Sequence, residues 1–125
     1  MLSEYLRALP INHNSFMKKS EISFSVTLDD SKMPESITWK ADDSGIEGVK
    51  ECSSVIISIW DPKDKCTLRI DLWTKQMMVE EMQHLFYETF RSMADTYRRS
   101  TNDEKASAEI TAFAERFGKM TNVIR

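Results

Sequence analysis

The chain is poor in the residues from which many sites are built. It holds three glycines, three prolines and two cysteines in 125 residues. No glycine-rich run follows a strand pattern, so a phosphate-cradling loop is not expected. Cys52 and Cys66 form no CxxC unit, and His13 and His84 do not complete a zinc spacing. Reduced thiols are expected, with no metal and no cofactor. No apolar run approaches the ~20 residues a bilayer-spanning helix needs. The opening MLSEYLRALPINHNSF has neither a continuous apolar stretch nor a small-residue cleavage site. A secretory signal and direct membrane insertion are therefore not expected, and the cytoplasm is. No basic stripe is present either: the net charge is −3 with both signs spread along the chain, and the one basic pair that stands out is Arg98-Arg99. Nucleic-acid binding, which calls for a basic stripe, is not expected.

What the chain does have is periodicity. Residues 1–16 carry Pro10 and the sequence NHNS and read as a flexible N-terminal extension; residues 17–125 read as a single domain. Ile22, Phe24, Val26 and Leu28 alternate with Ser23, Ser25 and Thr27, which predicts a half-buried strand. After a turn in DDSKMPE, SITWKA predicts a second strand with Ile37 and Trp39 on one face, and DDSGIEGVKEC reads as a long loop. Two further strands, Ser54 to Trp60 and Thr67 to Trp73, flank the turn DPKDK. An antiparallel register pairing Ile59 with Leu68, Ile57 with Ile70 and Val55 with Leu72 puts all six on one face, as a pinned register requires.

Beyond TKQM the period changes to 3.6. Val79, Met82, Phe86, Phe90, Met93 and Tyr97 predict a helix with Glu80 and Glu81 in its first turn and Arg98 and Arg99 in its last. A second helix is expected to open at Thr101, with Glu104 completing a capping box, and to end near Gly118. The expected fold class is α+β: a four-stranded antiparallel sheet followed by two C-terminal helices packed on one face.

Candidate chemistry is thin. Asp42, Asp43 and Glu47 lack the alternate-position acids of a calcium loop and read as a solvated turn. Asp61 and Asp71 lie near Trp60 and Trp73, but catalytic carboxylates need a cleft that pushes their pKa values apart. Asp71 has Arg69 two residues away on its own strand face, so an ion pair explains it better. His84 has no nucleophile in a recognisable motif beside it. That leaves Trp60, Arg69, Asp71 and Trp73 on the outward face of the hairpin. Tryptophan and arginine are enriched where proteins bind one another. The alternative is a face covered by a subunit, the N-terminal extension or a folded-back loop.

Several segments, in order, resemble the gliding motility protein GldC family: KKSEI at Lys18–Ile22, ITWKADDSGIE at Ile37–Glu47 and SIWD at Ser58–Asp61, then LRIDLWTKQMMVEEM at Leu68–Met82 and MADTYRRSTNDEK at Met93–Lys105. The resemblance covers nearly all of residues 18–125. It implies a cytoplasmic, non-enzymatic accessory of bacterial gliding motility, meeting a protein component of the gliding or associated secretion machinery; the exposed hairpin face, rather than the resemblance, adds self-association into a homo-oligomer as an expectation. The resemblance brings no catalytic residues. The alternative is a SecB-like chaperone module holding exported or secreted clients, an analogy of element order alone.

Overall fold

The computed structural model describes residues 17–125, so the expected extension at 1–16 lies outside the described residues. The chain forms two compact units, one ending at Met77 and one spanning Met78–Arg125. The order is five strands, β1 (Ile22–Leu28), β2 (Pro34–Ala41), β3 (Lys50–Cys52), β4 (Ser54–Asp61) and β5 (Cys66–Trp73), then two helices, α1 (Val79–Thr101) and α2 (Glu104–Met120). The chain is thus α+β with antiparallel strands and two C-terminal helices. The single four-stranded sheet is a misreading: β1, β2 and β3 make one sheet, and β4 and β5 a second of two strands. Alternation reveals which residues share a face, whereas sheet membership is decided by which backbones exchange hydrogen bonds. The chain passes from one sheet to the other within a single residue, Ser53.

In the first sheet the apolar residues of β1 and β2 are matched across the ladder. Ile22 lies opposite Ala41, Phe24 opposite Trp39 and Val26 opposite Ile37. Ile37 and Ala41 are the buried centre of this face. Asp29 closes the connecting turn: its carboxylate accepts from the N–H groups of Ser31 and Met33. These bonds, with Lys75, hold the Asp29 carboxyl below its ordinary range. The stretch DDSGIEGVKEC, expected to be loop, ends in β3, which pairs with Ile37–Trp39 of β2.

The second unit is a helical hairpin closed by small residues and rings. Ala94 and Ala114 are buried, and the buried Ser107 Oγ donates to Ala94 O at 2.7 Å. Phe90 meets Phe113 and Phe117 edge-on, with ring centroids 5.2 Å apart in each pair. Gly118 leaves room for the Tyr87 ring, whose Cε2 would lie 2.8 Å from a β-carbon there. The helices do not part at Thr101: that residue ends α1, and the N-cap of α2 is Asp103, which accepts from Ala106 N. Asn102 makes the reversal in a left-handed conformation (φ 58°). The α2 helix also runs past Gly118 to Met120.

Candidate functional site

The β4–β5 ladder has the register expected from alternation, with Val55 opposite Leu72, Ile57 opposite Ile70 and Ile59 opposite Leu68. Directly opposed residues in an antiparallel pair share a face. The other face therefore carries Ser54, Ile56, Ser58 and Trp60 of β4 beside Trp73, Asp71, Arg69 and Thr67 of β5. The turn joining the strands is held by Asp61, whose Oδ1 accepts from Lys63 N and Asp64 N. Asp61 thus acts as a turn former, and it lies opposite Cys66 on the face away from the indoles.

Trp60 is 62 % exposed and Trp73 51 %. Arg69 Nη2 and Asp71 Oδ1 form an ion pair at 2.9 Å, with both side chains about half exposed. A pair this exposed adds little stability, because water and salt screen it and ordering two side chains costs entropy. Its effect is to fix two opposite charges at the middle of the strand. The four candidate residues share one face, but the ladder spreads them along it. Trp60 lies opposite Thr67 near the turn, and Trp73 opposite Ser54 at the far end. Six residues of strand separate those two positions, roughly 20 Å at the usual rise. One indole therefore stands at each end, with the charged pair between. Thr67 lies beside Trp60 on the same face, and its only signal in the sequence is its place in the alternation.

The other sequence candidates are engaged elsewhere. Asp42 Oδ2 accepts from Glu21 N at 3.3 Å, tying the start of β1 to the end of β2. Asp43 stands at φ 59° in the turn that follows. Burial raises the pKa of the Cys52 thiol, which disfavours its thiolate at neutral pH. His84 is exposed on α1. No helix among the described residues is long and apolar enough to cross a membrane.

A family model described as "Gliding motility-associated protein GldC-like" matches residues 34–123. That span takes in both sheets but for β1, and both helices. No curated protein matches the chain, and no solved structure does.

Proposed function

Because this chain belongs to the GldC-like family of gliding motility-associated proteins, we propose that it is a non-enzymatic, cytoplasmic accessory of gliding motility, acting by protein–protein contact. Its partner is a protein component of the gliding or associated secretion machinery. The outward face of the β4–β5 ladder makes the contact. Trp60 and Trp73 act as anchors, and Arg69 and Asp71 fix orientation. The observation that supports this reading most is the exposure of two tryptophans on one strand face, with an ion pair between them. Indoles are costly to leave in water, and contiguous exposed apolar surface marks interaction sites.

The test is affinity purification of the tagged protein from gliding cells, beside a Trp60→Ala/Trp73→Ala variant. Exposed side chains off the core change stability little, so the variant keeps wild-type circular dichroism and melts within a few degrees of wild type. A motility component that co-purifies with wild type and is lost with the variant supports the face as the contact. A variant that unfolds makes the indoles core residues and ends the proposal. A broad set of unrelated clients would favour the SecB-like chaperone alternative. The specific observation on that side is that Ile59, Leu68 and Ile70 are also exposed.

A further inference from the structure

The free edge of β5 is patterned as well as its face. Thr74 N donates to Ser53 O at 2.8 Å, which extends the β4–β5 register by one pair. This bond sets the phase of the ladder, because antiparallel partners alternate between pairs that exchange backbone hydrogen bonds and pairs that do not. Counting on from Ser53 and Thr74, the bonded pairs are Val55–Leu72, Ile57–Ile70 and Ile59–Leu68. The Ser54 hydroxyl, which donates to Leu72 O at 3.0 Å, agrees: that carbonyl faces β4. Thr67, Arg69, Asp71 and Trp73 therefore turn their N–H and C=O groups away from β4. Among the described residues no strand pairs with that edge. Past Trp73, Lys75 N is taken by Pro34 O at 3.2 Å. The free stretch is thus Thr67–Trp73, and its midpoint is Ile70.

We propose that β5 pairs antiparallel with β5 of a second copy of this chain, about a two-fold axis at Ile70. The residues whose backbone groups face outward must meet one another, so neighbouring registers differ by moving the midpoint to Arg69 or to Asp71. A midpoint at Arg69 sets two arginines directly opposite, and one at Asp71 sets two aspartates opposite. Like charges in that position destabilise a ladder. The midpoint at Ile70 instead places Arg69 against the partner's Asp71, and Asp71 against the partner's Arg69. With the ion pair already present along each strand, the four charges close into a ring of alternating sign. The same register uses the whole free stretch. It sets Leu68 against the partner's Leu72 and Ile70 against the partner's Ile70, so the apolar face stays apolar across the junction. Exposed charges add little affinity; they select the register, and the backbone bonds and apolar pairs hold it.

The pairing joins two two-stranded sheets into one of four strands. A lone two-stranded ladder is marginal in water, and an unpaired edge invites a partner. On the outward face it forms the row Trp60, Thr67, the partner's Trp73. Indoles that lie roughly 20 Å apart in one chain come within two strand spacings, about 10 Å, of a partner indole. The dimer is independent of the docking proposal, since purified protein alone reports it.

The test is the mass in solution of the full chain at about 100 μM, well above a micromolar Kd. Wild type is expected at twice the 14.5 kDa chain mass. Arg69→Asp alone and Asp71→Arg alone each set like charges across the axis and are expected to dissociate at a higher concentration than wild type on dilution. Mixing these two variants is expected to restore wild-type dissociation, because both aspartates of the first then face arginines of the second. Mixing cannot repair an ion pair within one chain, so restoration identifies the contact between copies. A monomeric wild type, single variants that dissociate no more readily than wild type, or a mixture that dissociates as readily as the single variants each overturns the proposal. If a charge variant fails to fold, Ile70→Cys in a Cys52→Ser/Cys66→Ser background decides. Residues opposed on the axis without bonded backbones have α-carbons about 4.5 Å apart, within disulfide reach. Oxidation is expected to cross-link Ile70→Cys and to leave Arg69→Cys uncross-linked. No cross-link at position 70 overturns the proposal.

Discussion

Gly118 shows how a single atom governs the helical unit. It is buried, and an added β-carbon would stand 2.8 Å from Tyr87 Cε2 and 2.9 Å from Ile124 Cγ1. Alanine would ordinarily gain about 1 kcal/mol of helix propensity over glycine. Here the ring and the Ile124 side chain must give way, and overpacking of this kind typically costs about 1–3 kcal/mol. Gly118→Ala is therefore expected to lower the melting temperature despite its better propensity; an unchanged or higher value would show that Tyr87 is free to turn aside. This close approach was hidden in the sequence. Periodicity places Phe86, Phe90 and Met93 on the stripe with Ala94 beside it, yet Met93 is 54 % exposed while Ala94 is buried. Two helices come closest where the side chains are smallest, and Tyr87, which meets Gly118, stands off the expected stripe.

At the scale of the elements, the connection between α1 and α2 is held by a carboxylate. Asp103 accepts from Ala106 N at 3.0 Å and from the Tyr97 hydroxyl at 2.9 Å. These bonds hold its carboxyl below the usual range, and in return raise the Tyr97 hydroxyl. Asp95, beside Arg98 and Arg99 in the last turns of α1, is lowered too. A carboxyl depressed on folding stabilises the fold above its unfolded pKa, about 3.9 for Asp. That stabilisation is lost as pH falls from there through the lower folded value. Acid below about pH 4 is thus expected to destabilise the helical unit, less so in Asp103→Asn, which keeps a capping oxygen without the titration. The check is the melting temperature of both proteins between neutral and strongly acid pH, and equal slopes would remove Asp103 as the cause.

Element boundaries were partly legible. The β4–β5 register followed from alternation because slipping one residue would turn every apolar side chain over. The three-residue β3 was not legible: Lys50-Glu51-Cys52 has no alternating pattern, and its pairing to β2 is a matter of backbone alone. The start of α2 differs from expectation because Thr101 and Glu104 have capping-box spacing, whereas the Thr101 hydroxyl is spent on Tyr97 O and Asp103 is the N-cap.

For the whole molecule, the proposed function rests on surface. The family association with gliding motility is carried by residues 34–123. On the β-rich unit, the face of β4–β5 carries two indoles and an ion pair, and the edge of β5 carries the proposed pairing with a second copy. The composition of that face was readable in the sequence, since alternation places Trp60, Arg69, Asp71 and Trp73 together. Its extent was not. The indoles stand at opposite ends of the ladder because the turn sits beside Trp60, which puts Trp73 at the strand's far end.

The most direct measurement is colony spreading of a gliding bacterium deprived of this protein and supplied with either wild type or the Trp60→Ala/Trp73→Ala variant at equal abundance. Spreading is expected with wild type and lost with the variant, whose fold is intact. Equal spreading with both would contradict the account, because the two indoles would then have no part in the contact that movement requires.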